Sequence, residues 1–275
     1  MRRGKRESTR AGLFHVPRAG FKVGWGEMLT GKPWRAEAVI QFCGSLMACF
    51  FLGGMIISLL DKAGLAAFKL PGGFGAVLVA TLSFQGAAWG LIGVFLWQHQ
   101  TTWREAFGLQ DPQLARALGL AVLTVAVLLP VLWALQSASV WALTRLGWPP
   151  DDQAAVQLFE NAHTVWGRLY MGLFAVVLAP VAEEFVFRGM LFPFVKQLGF
   201  PRLAWLGVSG LFALIHFDAA IFIPLLVLAL ALTWLYVKTG NLLAAITAHA
   251  VFNAVNLAFL VAEPWLTKVL HLPAS

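Results

Sequence analysis

The 275-residue chain is 59% hydrophobic and only 12% charged, about half the charged share of a typical soluble domain. This composition predicts an integral membrane protein and excludes a chain built mainly of soluble domains. The net charge of +7 does not indicate a nucleic-acid partner, because nine of the twenty Lys and Arg residues lie between Arg2 and Arg35, ahead of the first apolar stretch. We interpret this cluster as a topology signal.

Residues 1–36 form a basic leader without sustained apolar periodicity. We expect it to be loosely ordered or to lie on the membrane surface, and to orient the chain with its N terminus in the cytoplasm. The apolar run from Ala38 to Leu60 follows. It is too long for the core of a signal peptide, and no cleavage site follows it, so we predict that it remains as a signal anchor.

Further apolar runs predict an all-α, polytopic transmembrane helix bundle of about seven spans, with six to eight as the range. The runs are Ala38 to Leu60, Gly75 to Trp97, Ala117 to Leu143, Leu169 to Val195, Leu203 to Phe217, Ala219 to Val237 and Leu242 to Leu260. The fifth run is short, and Asp218 joins it tightly to the sixth. We therefore expect one of these spans to be broken, tilted or only partly spanning.

Three of the predicted spans carry polar residues that a lipid environment would penalise. Ionisable groups in such segments usually face the interior of the bundle and mark a functional site. The fourth span contains Glu183, Glu184 and Arg188, the fifth contains His216, and the seventh contains His249, Asn253 and Asn256.

Helical spacing distinguishes the two adjacent carboxylates. Glu184 and Arg188 are four residues apart, with the acid first, which is the favourable order for an ion pair on one helix face. Glu183 lies about 100° around the helix from Glu184. We therefore predict that Glu184 pairs with Arg188 and that Glu183 is the freer carboxylate, available as a general base.

The remaining polar residues supply the other parts that hydrolysis requires. His216 and His249 come from different helices and can converge on Glu183, while Asn253 lies one turn after His249 and adds an amide donor. A metal-centred assembly is the alternative, with Glu183, His216 and His249 as zinc ligands. However, the His-Glu-x-x-His signature is absent. The non-catalytic interpretation is a structural ion-pair cluster with histidine and asparagine as packing groups.

Three motifs in order carry a family resemblance: Glu183-Glu184-x-x-x-Arg188, Phe212-x-x-x-His216 and His249-x-x-x-Asn253. This pattern resembles the CPBP intramembrane protease family, which includes type II CAAX prenyl endopeptidases and bacteriocin-processing or self-immunity proteins. Residues 187–192 and 236–242 are also similar to the family's pattern. The resemblance covers roughly residues 165–260, and the chain departs from none of the three motifs.

The resemblance implies an all-helical membrane endopeptidase whose cavity opens towards the cytoplasm. Glu183 would be the base on the hydrolytic water, aided by His216, and His249 with Asn253 would form the oxyanion site. Glu184 and Arg188 match the remaining motif positions. The family is described both as metalloproteases and as glutamate-type proteases. The missing zinc signature and the asparagine favour the second type, so we expect no cofactor, with zinc as the alternative.

We therefore predict one transmembrane domain over residues 37–270, with its catalytic core at about 165–260, in the plasma membrane. Its partners would be the lipid bilayer and a membrane-associated protein or peptide substrate, processed at a tail or leader, and not a nucleic acid. The competing hypothesis is a non-enzymatic immunity or scaffold protein, or a proton-coupled transporter that uses the same polar cluster.

Overall fold

The computed structural model describes residues 32, 34–64, 74–109, 113–150, 154–162 and 164–270, without the side chains of 74, 154, 155 and 263–270. Most of the predicted basic leader therefore lies outside the described residues. Within them every regular element is a helix. The α-helices are α1 (Ala36–Lys62), α2 (Phe74–Thr81), α3 (Ala87–Gln98), α4 (Trp103–Phe107), α5 (Leu114–Arg145), α6 (Ala154–Glu160), α7 (Val165–Leu173), α8 (Ala179–Glu184), α9 (Phe192–Gln197), α10 (Pro201–Leu214), α11 (Ala219–Thr239) and α12 (Leu242–Leu270).

Three π-helical segments join some of these helices into longer continuous stretches. They are π1 (Leu82–Gly86), π2 (Phe174–Leu178) and π3 (Phe185–Leu191). Six stretches in the described residues are long and apolar enough to cross a membrane: Ala36–Lys62, Gly75–Gln98, Leu114–Arg145, Val165–Gln197, Ala219–Thr239 and Leu242–Ala262. Together with the shorter apolar helix Pro201–Leu214, they confirm the predicted all-α polytopic bundle of about seven spans.

The fifth predicted span is the shorter helix, α10. Its 14 residues extend only about 21 Å, less than the roughly 30 Å hydrocarbon thickness of a bilayer. The chain cannot continue as a helix past this point, because Phe217 has a φ of 51°. Asp218 then accepts a 2.8 Å hydrogen bond from the backbone N–H of Ala220 and begins α11. The turn between the two helices thus places His216 at the end of a short helix.

Helix α11 lies at the centre of the bundle. Its sequence is apolar on all sides, as expected of a helix surrounded by other helices. In the most apolar 18-residue stretch of α11, 61% of the residues are buried, whereas only 11% are buried in the corresponding stretch of α1. It packs against α5, α10 and α12, and α12 in turn packs against α8. The helices that carry the predicted site residues therefore surround or adjoin this central helix, whereas α1 lies at the periphery.

The short helix α4 packs against the segment that carries the motif arginine. Thr102 and Glu105 cap its N terminus reciprocally, and Gly108 ends it with a φ of 70°. The buried ring of Phe107 meets that of Phe185 at a centroid distance of 4.6 Å. A Cβ on Gly189 would lie 2.7 Å from the Phe107 ring, so only glycine permits this approach. Helix α4 thus fixes one side of π3.

Candidate active site

Two π-helical segments bracket the helix that bears both glutamates. Segment π2 ends two residues before Pro180, and π3 ends two residues before Pro193. A proline removes the hydrogen bond to residue i−4 and its ring crowds that carbonyl. A wider helical turn before each proline accommodates both effects, and such π-bulges occur frequently at functional sites. The two glutamates at the end of α8 therefore lie between two segments of wider, π-helical turn.

Glu184 joins the arginine of its own helix to a histidine of another. Its Oε1 accepts a 2.8 Å bond from Arg188 Nη1 and lies 2.9 Å from His249 Nδ1. Glu184 and Arg188 are fully buried, and His249 is 4% exposed. The predicted pairing of Glu184 with Arg188 is thus present, and the charges of this buried group compensate one another.

The contact with Glu184 determines the tautomer of His249. A carboxylate oxygen only accepts, so the hydrogen on the ring must sit on Nδ1. Nε2 is then an acceptor in the neutral ring and a donor in the imidazolium form. This Nε2 lies 3.9 Å from Glu183 Oε2. That separation exceeds a hydrogen bond, but it is short enough for one water or a small shift of either side chain to connect the two groups.

Glu183 is the more accessible of the two carboxylates. Its side chain is 16% exposed, whereas that of Glu184 is fully buried. The adjacent positions therefore differ, with one carboxylate held inside an ion pair and the other partly exposed. Glu183 also lies within electrostatic range of both His216 and His249.

Phe212 organises the two histidines and the arginine around one ring. Its centroid lies 5.0 Å from that of His216 and 5.6 Å from that of His249, while the Arg188 guanidinium lies 4.6 Å above it. His216 Nδ1 lies 2.8 Å from the carbonyl oxygen of Phe212, one turn earlier in the chain. Because a carbonyl oxygen only accepts, Nδ1 carries the hydrogen, and Nε2 is the ring nitrogen that points away from this bond. Within the described residues no hydrogen bond joins His216 to Glu183. The two groups are neighbours and not direct partners.

Asn253 links α12 to π2. Its Nδ2 donates a 2.8 Å hydrogen bond to the carbonyl oxygen of Ala175, in the segment where the normal helical pattern is interrupted. An amide nitrogen carries two hydrogens, so one remains for another acceptor. Asn256, on the same helix, instead accepts a 3.0 Å bond from Trp133 Nε1 and holds α12 against α5.

The sequence analysis does not identify two buried hydroxyl residues next to this group. Thr233 of α11 lies 3.4 Å from Arg188 Nε, and Ser209 of α10 lies 3.4 Å from Thr233. Both are fully buried. Thr233 donates to the carbonyl of Ala229 one turn earlier. Hydroxyl side chains can satisfy themselves in this way within any helix, so their sequence positions carry no functional signal.

The alternative hypothesis makes Glu183, His216 and His249 zinc ligands, and it stays a prediction. Among the residues that the structure describes, no three His, Cys, Asp or Glu side chains are grouped so that they could hold a metal ion. His249 directs Nδ1 at Glu184 and His216 directs Nδ1 at its own helix. In both histidines this leaves Nε2 without a hydrogen bond within the described residues, and a metal-ligating histidine typically holds its other ring nitrogen in the same way.

Comparisons with known proteins find similarity over one part of the chain. Residues 165–255 match the family described as "Type II CAAX prenyl endopeptidase Rce1-like", which confirms the resemblance predicted from the three motifs. The chain is also similar to the UPF0177 protein YxdF of Lactococcus lactis subsp. lactis (strain IL1403), with 31% identity over 78 residues. That match covers 28% of this chain and 42% of the relative, so it spans less than half of the relative's length. No solved structure matches this chain significantly.

Proposed function

We propose that the protein is an intramembrane endopeptidase that hydrolyses a peptide bond of a membrane-associated protein or peptide, with Glu183 activating the water. The observation that carries this proposal is a row of four neighbouring side chains among apolar helices: Glu183, His249, Glu184 and Arg188. At the more exposed end of the row, Glu183 Oε2 lies 3.9 Å from His249 Nε2. Charged groups in membrane-spanning segments are costly, and those that are present usually mark a functional site. The match of residues 165–255 to a family of endopeptidases supports the reaction class.

In the proposed mechanism Glu183 removes a proton from water, and the resulting hydroxide attacks the carbonyl carbon of the substrate. The new C–O bond gives a tetrahedral intermediate whose oxygen carries the negative charge. Glu183 then returns the proton to the leaving nitrogen as the C–N bond breaks. The products are a carboxylate end and an amine end.

The other residues stabilise charge at defined atoms. Glu184 accepts from His249 Nδ1, and the Nε2–H of the imidazolium form donates to the oxyanion. The second Nδ2 hydrogen of Asn253 is the other oxyanion donor. His216, whose ring packs against Phe212, presents Nε2 and helps to orient the water. Arg188 compensates the charge of Glu184, so that Glu184 acts through His249 and not as a second base.

The proposed substrate is a protein or peptide tethered to the bilayer, processed near a tail or leader. Such a substrate reaches a site that lies between apolar helices, whereas a freely soluble protein does not. We also propose that the N terminus lies in the cytoplasm, because the basic residues precede the first span. The plasma membrane is the proposed location.

The test is cleavage of a panel of membrane-tethered peptides by the full-length protein in detergent. Glu183→Gln is expected to abolish cleavage while the protein stays folded, because the substitution keeps the side-chain size and breaks no hydrogen bond within the described residues. Glu37→Gln is the matched control, since Glu37 is exposed near the start of α1 and its variant should cleave normally. Cleavage by the Glu183 variant would refute the mechanism. Cleavage lost with a chelator and restored with zinc would establish the metal-dependent alternative.

One observation favours a second function, a proton-coupled transporter. Glu183, His249 and Glu184 form a line of groups that can each bind a proton within a spanning bundle, as in proton relays of transporters. Protein reconstituted in liposomes with an internal pH dye distinguishes the two functions. Proton flux that Glu183→Gln abolishes, without cleavage of any peptide, would support transport.

A further inference from the structure

Thr233 lies at the junction of three buried hydrogen bonds behind the glutamates. Its Oγ1 is 2.9 Å from the carbonyl oxygen of Ala229, 3.4 Å from Arg188 Nε and 3.4 Å from Ser209 Oγ. Thr233, Arg188 and Ser209 are fully buried. These contacts bring together α10, α11 and π3.

The direction of each bond follows from counting hydrogens. A hydroxyl has one hydrogen and accepts through its lone pairs, and the Ala229 carbonyl takes the hydrogen of Thr233. Thr233 must therefore accept from Arg188 Nε, because a guanidinium only donates. It must also accept from Ser209, whose hydroxyl is then the donor. The Thr233 oxygen is thus oriented as an acceptor towards the arginine.

The guanidinium of Arg188 is consequently held on several sides. Nη1 donates to Glu184 at 2.8 Å, Nη2 donates to the Ala229 carbonyl at 3.1 Å, and Nε donates to Thr233. The ring of Phe212 covers one face at 4.6 Å. Because the guanidinium is planar, fixing Nε and Nη2 also fixes the direction in which Nη1 points. That direction determines where Glu184 Oε1 lies, and the same oxygen accepts from His249.

We propose that Thr233 is a positioning residue for the reaction, with Ser209 orienting its hydroxyl. Thr233 fixes the plane of Arg188, Arg188 fixes Glu184, and Glu184 fixes His249 so that Nε2 faces Glu183. The catalytic consequence rests on the proposed peptidase function, whereas the contact between Thr233 and Arg188 does not. Thr233 touches none of the reacting atoms, so its effect should fall on turnover and not on substrate binding.

The experiment compares three variants of the full-length protein with the tethered-peptide assay. Thr233→Val keeps the volume and removes the hydroxyl, and it is expected to lower kcat about 10-fold or more, with KM within about twofold. Thr233→Ser keeps the hydroxyl and should retain most of the wild-type kcat. Thr124→Val is the matched control, because Thr124 makes the same bond to the carbonyl four residues earlier, in α5, and its variant should leave kcat unchanged. A Ser variant as impaired as the Val variant, or a Val variant as active as the Thr124 control, would overturn the proposal.

A second readout does not depend on activity. Thermal unfolding in detergent is compared for Thr233→Val in the wild-type background and in an Arg188→Lys background. A lysine keeps the charge but cannot make the three directed bonds, so Thr233→Val should lower Tm less in the Lys background. Equal lowering in both backgrounds would show that Thr233 does not act through Arg188. If the wild-type protein cleaves no peptide, the proposed function fails, while this coupling still decides whether Thr233 positions the arginine.

Discussion

Two glycine-to-alanine substitutions isolate the close approach of Gly108, after α4, to Gly240, after α11. Gly108 and Gly147 both have positive φ, 70° and 82°. Alanine in the left-handed region costs about 1–2 kcal/mol at either position. At Gly108 an added Cβ would also overlap the carbonyl oxygen of Gly240, whereas at Gly147 nothing lies within 4 Å. The difference between the two variants therefore measures the contact itself.

We expect Gly147→Ala to lose about 1–2 kcal/mol of stability. Gly108→Ala should lose about 1–3 kcal/mol more, because the backbone must shift to relieve the overlap. Circular dichroism during unfolding in detergent measures both losses. Peptide cleavage should fall in the Gly108 variant only, since α4 packs on Phe185 and Gly189 beside the motif arginine. Equal losses of stability, or normal cleavage by a destabilised Gly108 variant, would refute the role given to this contact.

Three other predictions test the buried charge, the cap and an interhelical bond. Arg188→Met should destabilise the protein by about 3–5 kcal/mol, because it leaves Glu184 unpaired, while Arg104→Met, at an exposed position, should change the unfolding free energy by less than about 0.5 kcal/mol. Hydrogen bonds from Thr102 lower the pKa of Glu105 in the folded protein, so the cap stabilises α4 fully at pH values above the pKa that Glu105 has in the unfolded chain. This stabilisation is lost as the pH falls through the lowered pKa of the folded protein. The protection of the α4 amides, taken as their exchange rate relative to that of an unfolded chain at the same pH, should therefore fall below about pH 4, and Thr102→Ala should remove that change in protection. Trp133→Phe, which deletes one bond to α12, should cost about 0.6 kcal/mol in the same unfolding assay.

Each of these three predictions has a distinct contrary result. Equal destabilisation by Arg188→Met and Arg104→Met would mean that the buried arginine of the ion pair contributes no more to the free energy of unfolding than an exposed arginine does. Protection of the α4 amides that stays constant through this pH range in the wild-type protein would show that the capping box does not stabilise α4. If Trp133→Phe is as stable as the wild-type protein, water or lipid replaces the interhelical bond without loss of stability. Trp97→Phe, at an exposed position, is the control.

Features that depend on neighbours along the chain could be predicted from the sequence. Apolar length predicts the spans, because the bilayer sets the minimum length of a helix that crosses it. The pairing of Glu184 with Arg188 follows from a spacing of four residues on one helix, and the structure shows it. The short fifth helix is also visible in the sequence, since the apolar run ends at the Asp218 junction.

Contacts between helices could not be predicted in the same way. The sequence places His216 and His249 near the glutamates, but it does not show that His249 bonds to Glu184 while His216 bonds to its own helix. Nor does it show that Asn253 donates to a carbonyl of π2. These contacts depend on the rotation and depth of each helix, and the π-helical turns before Pro180 and Pro193 change both.

The sequence by itself thus determined which segments are long and apolar enough to span a membrane and which residues share a helix face, because local periodicity and apolar length are properties of the chain alone. Only the tertiary structure decided which carboxylate meets which histidine, and that Thr233 and Ser209 support the arginine. The physical reason is that a polar group inside a membrane must find a partner, and the nearest partner is set by how the helices pack.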